Sequence, residues 1–355
     1  MRTWIEVSLG ALRRNWEYVR RVVPAETAIC AVVKADAYGH GAVRCAQVFA
    51  AAGSPWLAVT SVEEGIKLRQ AGLGARILVL AGFYAEQAEA LIAHQLTPAV
   101  WDAAQIGWLA AATQGLAPGA VAVHLKLETG MGRLGVTADQ RAEVDAALAA
   151  APALRVEAVF SHLAASEAAD PAPSVEQKAR LAGLSPGRNW HLLNSEGALR
   201  WGWGGMMARV GLALYGYSAQ PAHAAQLEPA LRWKARVVAV KPLPAGHGVG
   251  YGPRFRTARA SRLAVIAAGY ADGYRRDFSP GSHILLNGQR APVAGAVSMD
   301  LTCVDVTGLA APQIGDQVEL LGPALPATEL AALAGTIPYE VLCGISARVQ
   351  RRYVE

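Results

Sequence analysis

The chain has 355 residues, 53% of them hydrophobic and only 17% charged, with a formal net charge of +5. High hydrophobicity with a modest net charge excludes disorder, and the absence of a strict glycine or heptad period excludes collagen and coiled coil. The length exceeds one compact core of about 150 residues, so either a large barrel or two domains is expected.

The longest uncharged run, Ala103 to Val123, is interrupted by Gln105, Thr113, Gln114 and Pro118. It reads as a buried helix, a turn and the start of a strand, since a membrane span needs about 20 predominantly apolar residues. The N-terminus reaches Glu6 without an apolar stretch, so no secretory signal is read and a cytoplasmic location is expected. Cys30, Cys45, Cys303 and Cys343 lie in apolar stretches with no zinc or redox spacing; buried thiols and no metal are expected. The basic residues cluster only as pairs such as Arg13-Arg14 and Arg275-Arg276, without interleaved aromatics, which argues against a nucleic-acid partner.

In chain order, apolar or β-branched runs occur at Ile29–Val33, Trp56–Thr60, Ile77–Leu80, Leu96–Val100, Val121–Leu127, Val156–Phe160, Trp190–Leu193 and Ala208–Leu214. Between most of them lie segments of helical periodicity: Gly41–Ala52, Val62–Ala71, Ala85–His94, Ala103–Ala112, Ala138–Ala150 and Ser174–Ala182. Eight strand-then-helix units predict an α/β fold, a parallel (β/α)₈ barrel of the TIM type. The last connection, Ser195 to Met207, is short and rich in Gly and Trp. From Leu231 the pattern changes to strands with turn signals: Ala235–Val240, Leu263–Ala267, His283–Leu286, Thr302–Val306 and Val318–Leu321. Asn287-Gly288 predicts a type I′ hairpin, and only Thr328–Ala334 reads as helical. The expected division is a barrel over residues 1–230 and a mostly antiparallel β domain over residues 231–355.

Barrel active sites lie at the C-terminal ends of the strands, which filters the candidates. Lys34 follows the first run and precedes Tyr38, Gly39, His40 and Gly41. An amine at an apolar barrel mouth can have its pKa depressed and form a Schiff base, although most lysines at strand ends are merely solvated. After Val121–Leu127 comes a Gly-rich turn carrying Arg133, suited to holding a carboxylate. Ser161-His162 and Asn194-Ser195 follow later runs; taken singly they read as a structural histidine and a helix N-cap. Arg209 stands inside an apolar run, and a buried arginine requires specific acceptors. Together these strand ends point to a site for an anionic cofactor.

The stretch Ala31-Val32-Val33-Lys34-Ala35-Asp36-Ala37-Tyr38-Gly39-His40-Gly41 resembles the cofactor-attachment signature of the alanine racemases. The resemblance spans essentially the whole chain, with landmarks in family order at Lys126 to Leu134, Phe160 to Leu163, Asn194-Ser195, Arg209 to Gly216, Gly269 to Gly273, Ser298 to Asp300 and Pro338 to Glu340. It implies a pyridoxal 5′-phosphate isomerase that interconverts L- and D-alanine by two-base α-proton transfer. It also implies a homodimer with shared active sites, whose D-alanine feeds cell-wall synthesis. Lys34 then resembles the lysine that holds the cofactor covalently. Tyr38, Ser195, Tyr339 and the amides of Gly211 and Leu212 resemble the phosphate ligands. Arg209 resembles the partner of the pyridine nitrogen, and Arg133 the arginine near the phenolic oxygen and the substrate carboxylate. Lys126 resembles a lysine often carbamylated in the family. Tyr270 resembles the second base and Met299 a backbone donor, both supplied by the partner subunit, with His162 linking Arg209 to Tyr270. Lys34 would serve the D face and Tyr270 the L face. A free phenol of pKa near 10 is ionised in only about 0.1% of molecules at pH 7, so Tyr270 needs a cationic neighbourhood.

Relatives that use the same architecture as decarboxylases place a carboxylate at the ring nitrogen, where this chain has Arg209. The small cofactor-carrier family has no catalytic β domain. A broader-specificity racemase acting on serine or other small amino acids is the remaining alternative. Glu128 replaces a common Asp, and Val210 a common Pro; neither is a proposed catalytic group.

Overall fold

A strand covered on both faces has no polar side to show, so parallel barrel strands are written as unbroken apolar runs. The computed structural model, which describes residues 1–252 and 255–355, follows that rule. It begins with β1 (Thr3–Ser8), α1 (Leu9–Val22), β2 (Ala28–Val32), α2 (Ala42–Ala52), β3 (Trp56–Val59), α3 (Val62–Gln70), β4 (Arg76–Val79), α4 (Ala88–Ala93), β5 (Thr97–Val100) and α5 (Ala103–Ala112). There follow β6 (Val121–Lys126), α6 (Arg141–Ala149), β7 (Leu154–Phe160), α7 (Ala172–Leu184), β8 (Trp190–His191), α8 (Ser195–Arg200) and β9 (Met207–Val210). Strands β2 to β9 form one parallel sheet in the order β8-β7-β6-β5-β4-β3-β2-β9. The amides of Met206 and Arg209 donate to the carbonyls of Trp190 (2.8 Å) and Leu193 (2.9 Å), so the two end strands also meet and the barrel nearly closes. Each of the eight apolar runs is a strand of this barrel. The last run stops early, because Gly211 ends β9 and Leu212–Tyr215 turns into a 3₁₀ helix.

The residues group into two units: a barrel unit of Leu12–Ala37 with Gly41–Glu228, and a sheet unit of Met1–Ala11, Tyr38–His40 and Pro229–Glu355. The first eleven residues, expected with the barrel, instead lie with the C-terminal sheet. The cause is strand pairing: β1 runs antiparallel to β10 (Leu231–Leu243), with Ile5 opposite Trp233.

The sheet unit continues with β11 (Gly248–Val249), β12 (Phe255–Arg256), β13 (Ser261–Ile266), β14 (His283–Leu286), β15 (Gln289–Pro292), β16 (Thr302–Asp305), β17 (Gln317–Leu321), α9 (Ala327–Leu333), α10 (Pro338–Cys343) and β18 (Gln350–Val354). All its pairings are antiparallel except β1 with β18. β14 and β15 form the expected hairpin, with Asn287 at φ 51° and Gly288 at φ 77°, both in the left-handed region a type I′ turn requires. Its core is aromatic: Tyr274 packs edge-on between Trp233 (5.9 Å) and Phe278 (5.2 Å), and the Trp233 indole donates to Thr3 Oγ1 at 2.8 Å. The second helix, α10, was not expected.

Immediately after β2 the backbone takes a strained course. Ala35, Asp36, Ala37 and Tyr38 all have φ between 51° and 56°. A left-handed L-residue costs roughly 1 kcal/mol or more, so the turn must be held from outside. The Gly41 amide donates to the Asp36 carbonyl (2.8 Å), the Ala42 amide to Asp36 Oδ1 (2.9 Å), and the Ala35 amide to Glu64 Oε1 (2.8 Å). Ala35 is exposed, so Ala35→Gly removes the strain without opening a cavity. After allowing for the added freedom of the unfolded chain, a gain of about 0.5 kcal/mol is expected in chemical denaturation. A loss of stability would contradict the left-handed assignment.

Two smaller points concern composition. Cys30 and Cys45 are buried as expected, but Cys303 is half-buried and Cys343, the last residue of α10, is exposed; no disulfide joins them. Among the described residues no helix is long and apolar enough to cross a membrane, and no cluster of His, Cys, Asp and Glu has the make-up of a metal site.

Candidate active site

The barrel unit presents its polar residues where the strands end. Lys34 lies two residues past β2 and is half-buried. Lys126 is the last residue of β6 and is buried, its amine 5.6 Å from the Phe160 ring and 5.9 Å from the Trp101 ring. Burial, then the nearby cations of Arg209 and Arg133, push its pKa down to about 8. The turn that follows is organised by Glu128, whose carboxylate accepts from the amides of Gly130, Met131 (2.7 Å) and Gly132 (2.9 Å). Arg133 extends from this turn into solvent.

Beyond β8, Asn194 is the N-cap of α8 and accepts from the Gly197 amide at 2.9 Å. The neighbouring Ser195 is buried, and its Oγ accepts from the amides of Gly211 (2.9 Å) and Ala213 (3.3 Å). The hydroxyl and the Gly211 amide therefore meet in one place, although that amide is already engaged by Ser195.

Arg209, the third residue of β9, is 4% exposed. Its Nη1 donates to His191 Nδ1 at 2.6 Å; its Nη2 donates to the Ser161 carbonyl (2.7 Å) and lies 3.2 Å from both His162 Nδ1 and the Leu192 carbonyl. Every one of these partners is neutral, and Nε makes no hydrogen bond to any described residue. Burial lowers the guanidinium to about 10, which still leaves it charged at neutral pH. His162 is pushed down to about 3 by burial and then by Arg209, so it is neutral. Because arginine only donates, His162 Nδ1 is the acceptor and its proton sits on Nε2. The linking histidine of the resemblance is thus an uncharged donor, not a cation.

The sheet unit holds the other candidates in two pairs. The rings of Tyr38 and Tyr339 lie 5.9 Å apart, and burial keeps the Tyr38 phenol protonated well above its usual range. The Tyr38–His40 segment is anchored in this unit: Arg351 Nε donates to the Gly39 carbonyl at 3.1 Å, and a side chain at residue 39 would strike the Leu342 carbonyl. Tyr270 and Met299 form the second pair. The Tyr270 amide donates to the Ser298 carbonyl and the Ala271 amide to the Met299 carbonyl, both at 3.0 Å. Gly269 permits that approach, since a Cβ there would lie 2.2 Å from the Ser298 carbonyl oxygen. Below the turn, buried Asp272 accepts from the Gly269 amide (3.0 Å) and from Arg348 Nε (2.7 Å). Tyr270 is 42% and Met299 54% exposed, and Tyr270 borders a cavity of about 640 Å³ lined also by Arg275, Arg276 and Asp277.

Residues 7–219 match the alanine racemase N-terminal domain and residues 230–353 the alanine racemase C-terminal domain. The chain belongs to the alanine racemase family. An alanine racemase of Sorangium cellulosum is 40% identical over 99% of both chains. A catabolic alanine racemase of Pseudomonas aeruginosa is 37% identical over 98% of this chain and 97% of its own. The alanine racemase structure from the D-cycloserine producer Streptomyces lavendulae superposes with a TM-score of 0.93 at 32% identity, covering 100% of this chain and 97% of that one. Against this alanine racemase frame, one feature stands outside the residues singled out in the sequence. His191 contacts Arg209 directly, and His124 contacts His191. Both sit inside apolar runs, where a histidine reads as core packing; the available signal was the buried Arg209, which had to find acceptors.

Proposed function

We propose that the chain interconverts L- and D-alanine using pyridoxal 5′-phosphate. The observation that carries this reading is the setting of Arg209: a buried guanidinium with four neutral partners and uncommitted N–H groups on Nε and Nη1, in the same barrel mouth as Lys34 and Ser195. Such a donor set fits an aromatic ring nitrogen that accepts and an anionic phosphate, with Lys34 as the attaching amine. Ser195, the amides of Gly211 and Leu212, Tyr38 and Tyr339 are the proposed phosphate ligands. When bound, the cofactor supplies the electron sink that makes the α-proton of alanine removable.

The residues then divide the proton work. The Lys34 amine takes or returns the proton on the D face. The Tyr270 phenol of a second copy does so on the L face, where the Nε2–H of His162 stabilises the phenolate oxygen by donating to it. Arg133 holds the substrate carboxylate, assisted by the Met299 amide of the second copy. Arg209 cannot give up its proton, so the ring nitrogen stays an acceptor throughout. No observation favours a broader specificity, and the reading extends to a cytoplasmic enzyme that supplies D-alanine for cell-wall synthesis. The test is D-alanine formation in a panel of L-amino acids with added cofactor. Turnover of alanine above the other amino acids is expected; serine turned over as well as alanine would favour the broader reading.

Lys126 belongs to the same proposal. With its pKa near 8, about half its amine is unprotonated at pH 8 and able to add CO₂, releasing a proton and forming an anionic carbamate that would face Arg133. The reactive fraction rises with pH through about 8. A carbamate signal from ¹³C-bicarbonate is therefore expected to grow between pH 7 and pH 9 and to be missing in Lys126→Met. No signal in the wild-type protein would remove this role.

A further inference from the structure

Arg209 is a buried cation whose direct partners are all neutral, an arrangement that normally costs several kcal/mol unless a counter-charge is within electrical reach. The barrel interior contains a line of groups that leads to one. His191 Nε2 lies 2.9 Å from His124 Nδ1, and His124 Nε2 lies 3.4 Å from Glu157 Oε2. Glu157 in turn takes Arg76 in a two-pronged ion pair, one contact being 2.7 Å. Both histidines are fully buried, and His191 stacks on Phe160 at 4.6 Å with the rings 8° from parallel.

The protons along this line are determined from one end. Arg209 only donates, so His191 Nδ1 must accept and its single proton must be on Nε2. That proton points at His124 Nδ1, which must therefore accept, so the proton of His124 is on Nε2, which lies 3.4 Å from Glu157 Oε2 without hydrogen-bond geometry, a purely electrostatic contact. A proton added to either ring would set two donors against each other. With the protons so placed, any coupling along the line is electrostatic and moves no proton.

We propose that Glu157 is the counter-charge of Arg209, acting through the neutral imidazoles of His124 and His191, and that it is thereby a positioning residue for the guanidinium at the barrel mouth. Burial keeps both imidazoles neutral, and contact with His124 and Arg76 holds Glu157 down to about 2, so the carboxylate is charged across the working range. Arg76, stacked 3.9 Å over the Trp56 ring, flanks the carboxylate and is half-exposed.

Two measurements test this, and only the second rests on the racemase reading. In the full chain labelled with ¹⁵N-histidine, His124 and His191 are expected to show a bare Nδ1 and a protonated Nε2 from pH 5.5 to pH 9. A protonated Nδ1 on either ring overturns the proposal, whatever the enzyme does. In the loaded enzyme, Glu157→Gln is expected to lower kcat about tenfold with little change in KM, the scale on which outer partners of a site act. Arg76→Gln breaks the same ion pair but keeps the carboxylate, and is expected to hold kcat within about twofold. Equal losses in the two variants would mean that the pair only stabilises the fold, and would also overturn the proposal.

Discussion

Replacing Lys34 by alanine is expected to abolish cofactor attachment and to lower racemisation by at least about 10³-fold, because one substitution removes both the attaching amine and the D-face base. The barrel offers two amines at strand ends, and the experiment separates them. Lys126 has the depressed pKa that favours imine chemistry, but it is buried at the end of β6 between Trp101 and Phe160. Lys34 sits beyond β2 on a strained left-handed turn whose residues are tied down by Asp36 and Glu64. Strain held at one point of an otherwise regular strand end is the mark of a positioned group. Borohydride converts an imine into a stable secondary amine, so reduction of the loaded protein followed by peptide mapping reports the site of attachment directly. The expected result is cofactor on the Lys34 peptide in the wild-type chain and on no lysine in Lys34→Ala. Label on Lys126 in either protein would overturn the assignment.

The barrel was legible because burial on both faces leaves each strand as an apolar run, and Lys34, Arg133 and Arg209 stood out as candidates because each is a cation placed after or within such a run at a barrel strand end. The same logic explains what was missed. β18 (Gln350–Val354) alternates between exposed and half-buried positions and carries two arginines, so it shows no apolar run at all. β1 carries a readable pattern, but its partner strand is more than two hundred residues away, and sequence order alone assigned it to the barrel. α10 has six residues and starts at a proline, too short for a helical period to show. The left-handed turn is opaque for a different reason: Ala35 and Ala37 are poor left-handed residues, and the conformation is held by bonds such as those to the Glu64 and Asp36 carboxylates, which no local pattern announces. The histidine line fails on the same ground as the turn, since the meaning of His124 and His191 resides in what faces them across the barrel.

Tyr270→Phe is expected to lower racemisation about 10²- to 10⁴-fold in both directions, and that equality is itself uninformative. The two enantiomers of alanine have equal free energy, so no variant can slow one net direction more than the other at low substrate. The face served by each base is read from exchange of the α-hydrogen with deuterated water. With Lys34 intact, D-alanine should continue to exchange with retention while L-alanine does not. Exchange of L-alanine at the wild-type rate would remove Tyr270 from the L face. Phenylalanine keeps the ring and the turn, which depends on the Tyr270 and Ala271 amides and on Gly269 rather than on the hydroxyl. The exposure of Tyr270 and Met299 on the sheet unit motivates the second half of the test. If the phenol serves the site of a second copy, mixing Lys34→Ala chains with Tyr270→Phe chains creates mixed dimers. Each of these holds one site with Lys34 from one chain and Tyr270 from the other. Random pairing should restore about a quarter of wild-type activity from two nearly inactive proteins. If both groups came from the same chain, every site would lack one base and mixing would restore nothing.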